Sequence, residues 1–170
     1  MIFTTHRKYF APFVFGSIDG LVTTFAVVSG VIGAALSPSI ILVLGFANLL
    51  ADGFSMGVSN YLSEKSETAE QQARAVRMPW KSGFVTFLSF IAVGGVPLIP
   101  FLIALAVPDF AARAFAWSIV CTGAAFLAVG YAKGVATSHN RAWASLETFA
   151  IGAVAAAIAY YVGYVLSGLA

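Results

Sequence analysis

The sequence predicts an all-α integral membrane protein with five transmembrane helices. Three observations carry this. Of 170 residues, 60% are apolar and only 9% are charged, against about 45–50% and about 25% in soluble domains. Mean hydropathy is +0.92. Five apolar stretches each reach the roughly 20 residues that a helix needs to cross a hydrocarbon core about 30 Å thick. Nine Lys/Arg and seven Asp/Glu cannot cover the surface of a water-soluble globule. The same composition excludes a disordered chain and a nucleic-acid binder of the basic-patch kind.

The first helix is read from Phe13 to Leu36. His6-Arg7-Lys8 precede it as in a signal peptide, but the stretch is too long and contains Asp19, so it is retained. Ser37-Pro38-Ser39 is a tight turn, and the second helix runs from Ile40 to Leu62. Ser63 to Lys81 carries seven charged residues and reads as a helical extension reaching Pro79. Within it Glu64, Glu67 and Glu70 recur every three residues, and Glu70–Arg74 is an i, i+4 pair. The third helix spans Gly83 to Val107. Its Gly94-Gly95-Val96-Pro97-Leu98-Ile99-Pro100 run removes backbone donors and kinks the span, either for packing or as a moving, ion-facing element. Pro108-Asp109 turns into the fourth helix, Ala112 to Lys133. The polar loop Ser138 to Trp143 leads to the fifth, Leu146 to Leu169. No folded extramembrane domain fits between them, so residues 1–170 read as one membrane domain. A single cysteine, Cys121, allows no intramolecular disulfide and reads as a small packing residue. His6 and His139 are isolated and are assigned no ligand role.

Orientation follows from the loop cations. The side holding the N-terminus and the second and fourth loops carries Arg7, Lys8, Lys65, Arg74, Arg77, Lys81, Lys133 and Arg141; the other carries only Arg113. Positive residues stay inside, so the N-terminus is expected in the cytoplasm. Tyr9, Tyr61, Trp80 and Trp143 fall at the same ends, where an aromatic belt belongs.

Two carboxylates lie deep in apolar spans, Asp19 in the first and Asp52 in the second. Each costs at least about 2.5–3.5 kcal/mol to insert near the bilayer centre. Such residues line a pathway or pair with a cation; the alternative is a protonated Asp hydrogen-bonded to a neighbouring helix. Both stand at comparable depth, about 9–15 Å from the cytoplasmic face at 1.5 Å per residue. Asn48, Asp52 and Met56 are spaced i, i+4, i+8 and form one stripe. Oxygen ligands beside a thioether suit a borderline ion such as Fe²⁺ better than Mg²⁺ or Ca²⁺, while a lone Met is also ordinary packing. Gly16, Gly20, Gly30 and Gly33 make the first helix a close-packing seam, read as the seam that carries the site. The fifth helix has a small stripe of its own at Ala155, Ala159, Gly163 and Ser167. Glu64, Glu67 and Glu70 are candidate cation collectors at the pathway entrance, or simply a solvated face. Glu147 joins that entrance, or serves as a helix N-terminal charge.

The runs Phe15-Gly16-Ser17-Ile18-Asp19-Gly20-Leu21 and Ala51-Asp52-Gly53-Phe54-Ser55-Met56-Gly57 resemble signatures of the vacuolar iron transporter family, with Tyr61-Leu62-Ser63-Glu64-Lys65 and Pro97-Leu98-Ile99-Pro100 in support. The resemblance covers nearly the whole chain. It implies a five-helix homodimer that exchanges Fe²⁺ or Mn²⁺ for protons. The family's first-helix aspartate matches Asp19 and its second-helix methionine matches Met56. Where plant members have a second-helix glutamate this chain has Asn48, with Asp52 one turn on. Plant members also carry a helical cytoplasmic metal-binding domain in the second loop; about nineteen residues stand here instead, as in a short bacterial-type member. The expectation is a metal exporter of the bacterial inner membrane, working by proton antiport. Divalent metal, protons, lipid and a second copy are its partners, and it holds no permanent cofactor. The competing reading is a structural or assembly subunit. No His cluster, nucleophile–base pair or phosphate loop supports an enzyme.

Overall fold

A computed structural model describes residues 8–67, 78–138 and 140–169. Among these there are helices and turns and no strand. The helices are α1 (Phe10–Gly33), α2 (Pro38–Lys65), α3 (Pro79–Gly94), α4 (Ile99–Ala106), α5 (Ala111–Thr137) and α6 (Arg141–Leu166). Single 3₁₀ turns at Val96–Leu98 and Pro108–Phe110 flank α4, and a third, Ser167–Leu169, follows α6. α3 and α4 form one apolar span, Pro79–Ala106, so five spans are long and apolar enough to cross a membrane. The chain is an all-helical integral membrane protein, as its hydropathy predicts.

Helix ends differ from the apolar limits because polar groups extend or stop them. α6 starts at Arg141 rather than Leu146: the Asn140 side chain accepts from the backbone N–H groups of Ala142 (3.0 Å) and Trp143 (3.2 Å) and caps it. α1 starts at Phe10 and stops at Gly33. There Ala35 adopts a left-handed backbone (φ 54°), while Leu36 N–H reaches the Val31 carbonyl and Ala35 N–H that of Ile32. This is a Schellman stop with alanine at the position glycine usually fills. α2 ends at Lys65. Ser66 Oγ donates to the Ser63 carbonyl (2.8 Å), a local bond that competes with the helix ladder. Glu67 therefore lies beyond α2, and the helical extension expected up to Pro79 falls on residues 68–77, outside the described residues. Glu70 and Arg74 lie outside the described residues, as do His6 and His139.

α1 is the central helix and packs against α3, α6, α2 and α5. The glycine seam expected on α1 splits between two neighbours. A Cβ at Gly16 would meet the Thr86 carbonyl and Ser89 hydroxyl of α3, and one at Gly20 would lie 2.5 Å from the Phe90 carbonyl oxygen. Further along, Gly33 closes on the Tyr160 carbonyl, and Gly163 of α6 on that of Gly30. The small stripe of α6 is thus the counterpart of the C-terminal half of α1. Phe25, Val28, Ile41, Leu49, Phe90 and Leu98 fill the largest buried cluster. Outward residues such as Val43, Phe54, Val154 and Tyr161 stay exposed, as a surface solvated by lipid requires.

At the break in the third span, Pro97, Leu98, Pro100 and Phe101 are buried. Ser118 Oγ of α5 donates to the Pro97 carbonyl (2.7 Å). Protein satisfies this carbonyl, which makes the break a packed joint.

Candidate functional site

Asp19 is half-buried on α1, one residue from the Gly20 contact with α3. Asp52 is half-buried on α2, beside Gly53, which packs on Phe90 and Ile91 of α3. Both aspartates thus stand next to a glycine that packs on the same residue of α3, Phe90. A buried polar clamp holds the same three helices together. Asn60 Nδ2 of α2 donates to Thr86 Oγ1 of α3, which donates to the Pro12 carbonyl of α1 (3.4 Å). Sequence reading missed this clamp, whose members are 26 and 74 residues apart.

The α2 stripe forms as its spacing predicts, because α2 is unbroken from Pro38 to Lys65. Asn48, Asp52 and Met56 are all half-buried on it. Met56 packs against the central apolar cluster, so its thioether has a packing role beside any ligand role. The Asn48 amide nitrogen is buried with no hydrogen-bond partner among the described residues. The same holds for Ser17 Oγ, Thr24 Oγ1 and Thr122 Oγ1. Such groups are few in folded proteins. Ser17 and Thr24 are seven apart on α1, a spacing that already places them on one face.

Among the described residues, no three His, Cys, Asp or Glu side chains gather as a metal site. The described residues offer Asp19 on α1 and, on one stripe of α2, Asn48, Asp52 and Met56. Of the expected entrance carboxylates, Glu64, Glu67 and Glu147 are among the described residues. Half-buried Glu64 accepts a hydrogen bond from Ser82 Oγ of α3. Glu147 lies beyond the first turn of α6, so it is not an N-terminal charge. It pairs instead with Lys133 of α5 at 2.9 Å.

The profile of the VIT family matches residues 10–78 and 68–164. The chain belongs to the VIT family. It is similar to the vacuolar iron transporter of Toxoplasma gondii, 44% identical over 77 residues, which are 45% of this chain and 26% of that protein. The vacuolar iron transporter of Plasmodium berghei is 36% identical over 75 residues, 44% of this chain and 28% of that protein. Vacuolar iron transporter 1 of Eucalyptus grandis is 27% identical across 86% of this chain and 82% of that protein. The match therefore spans about a quarter of the Toxoplasma and Plasmodium proteins and about four fifths of the plant one. The VIT family is a family of transporters, not of enzymes.

Proposed function

We propose that this VIT-family chain carries Fe²⁺, and Mn²⁺ by the same chemistry, out of the cytoplasm in exchange for protons. The observation that carries the reading is the pair Asp19 and Asp52, two half-buried carboxylates on adjacent spans, each next to a glycine that packs on Phe90 of α3. Intramembrane carboxylates are costly and mark ion paths. Metal binding needs them deprotonated, so protons and metal compete for the same oxygens. Release of the metal on the acidic side and its capture on the other then couple the two flows. The Asn48 amide oxygen and the Met56 thioether, on the same stripe as Asp52, complete the ligand set, with sulfur biasing it away from Mg²⁺ and Ca²⁺.

The N-terminus faces the cytoplasm in this reading, supported by the loop cations. The membrane is the bacterial inner membrane, supported by the short second loop. The working unit is a homodimer, supported by the family resemblance and by the exposed apolar flanks of α2. Glu64 and Glu67 stand at the cytoplasmic end of α2, where cations would arrive.

Metal binding is tested by melting the detergent-solubilised protein with and without Fe²⁺ or Mn²⁺. A rise in Tm that Asp19→Asn and Asp52→Asn each remove supports the reading. No rise with either ion favours a structural subunit whose aspartates only fix helix packing.

A further inference from the structure

A cleft of about 510 Å³ opens on the outside of the bundle between α1, α5 and α6. Its wall is apolar: Phe10, Val14, Ile18 and Val22 line it from α1, and Ile151 from α6. From Phe10 to Val22 the wall runs about 18 Å along the helix. That is close to the depth of one leaflet of a core about 30 Å thick. The end nearest the helix termini is polar. Lys133 and Thr137 line it, and both also line an adjoining cavity of about 300 Å³ with Trp143 and Glu147. The Lys133 ammonium and Glu147 carboxylate, 2.9 Å apart, therefore stand together at the mouth, 34% and 48% exposed. Trp143 is exposed beside them, at the level where amphipathic rings meet lipid headgroups.

Any lipid tail wets an apolar groove. A mouth with one fixed cation and one fixed anion is selective. We propose that this cleft is a specific site for one phosphatidylethanolamine molecule. An acyl chain lies along α1, the phosphate sits on the Lys133 ammonium, and the headgroup amine donates to the Glu147 carboxylate. The phosphate and amine are opposite charges on one short linker. They align antiparallel to the Lys133–Glu147 pair, each charge against its opposite, without breaking it. Phosphatidylglycerol brings an anion with no cation to offset Glu147. Phosphatidylcholine brings a cation with no N–H to donate. Asp19 lines the same cleft, so a seated chain also lies against that residue. The site stands apart from the identity of the transported ion.

The test is native mass spectrometry of the delipidated full chain, re-exposed to equimolar phosphatidylethanolamine, phosphatidylcholine and phosphatidylglycerol. One phosphatidylethanolamine per chain should be retained about tenfold over the other two, the value of one charge-assisted hydrogen bond. Glu147→Gln should bring its retention down to that of phosphatidylcholine. Ile151→Trp fills the cleft and leaves the ion pair in place, and should lose all three. Equal retention by the native chain, a preference for phosphatidylglycerol, or undiminished retention in Ile151→Trp would each overturn the proposal.

Discussion

Gly20 is where α1 and α3 touch backbone to backbone, and Gly20→Ala tests whether that contact sets the position of Asp19. The added Cβ would lie 2.5 Å from the Phe90 carbonyl oxygen and 3.1 Å from both Phe90 C and Gly94 Cα. All three are backbone atoms, so no rotamer change relieves them. The helices must part by roughly 1 Å to restore an ordinary contact of about 3.5 Å. Overpacking of this kind costs about 1–3 kcal/mol, and neighbours that cannot rotate place it at the upper end. Alanine returns about 1 kcal/mol of helix propensity. The net loss is about 2 kcal/mol, or about 4–8 °C in Tm for a chain of this size. Gly30→Ala is the matched control, because its Cβ would meet only the Ala159 carbonyl oxygen, at 3.5 Å. It keeps the propensity gain and should not lower Tm. Tryptophan fluorescence melts in detergent compare the two. Equal Tm values for both variants would refute the close-packing argument. Because Gly20 adjoins Asp19, Gly20→Ala should also slow metal flux more than Gly30→Ala does.

Three further outcomes are expected. Met56→Leu should lower Fe²⁺ transport more than Mn²⁺ transport, since the harder ion gains less from sulfur; an equal loss would leave Met56 as packing alone. Ser118→Ala removes the donor to the buried Pro97 carbonyl and should destabilise by about 1–3 kcal/mol, the cost of an orphaned buried acceptor; an unchanged Tm would show that the joint at the third span does not depend on this bond. Ala35→Gly relieves a left-handed residue (φ 54°) worth about 1 kcal/mol and should raise Tm by about 2–4 °C; a fall would contradict the Schellman stop.

The five spans were legible because a bilayer imposes length and apolarity on each segment separately. The stripe Asn48–Asp52–Met56 was legible because it follows from position along a single helix, α2. What the sequence concealed are relations between helices. Ser118 reaches Pro97 from 21 residues away, and Glu147 finds Lys133 on the preceding helix. The expected single glycine seam divides because α1 is central and meets α3 with its first half and α6 with its second. Helix ends moved by a few residues where a local polar bond outweighed hydropathy, as at Asn140 and Ser66. Ser17 and Thr24 escaped notice because small hydroxyls in apolar helices ordinarily bond back to their own backbone, as Thr23 does to the Asp19 carbonyl at 2.9 Å.

The central claim is that Asp19 and Asp52 bind the metal and the exchanged proton in turn. Uptake of Fe²⁺ into proteoliposomes under an imposed pH gradient tests it most directly, with the native chain beside Asp19→Asn and Asp52→Asn. The account predicts flux that rises with the gradient in the native chain and is abolished in Asp19→Asn, which keeps its native Tm without metal. Native-level flux in Asp19→Asn, or flux indifferent to the gradient, would contradict it.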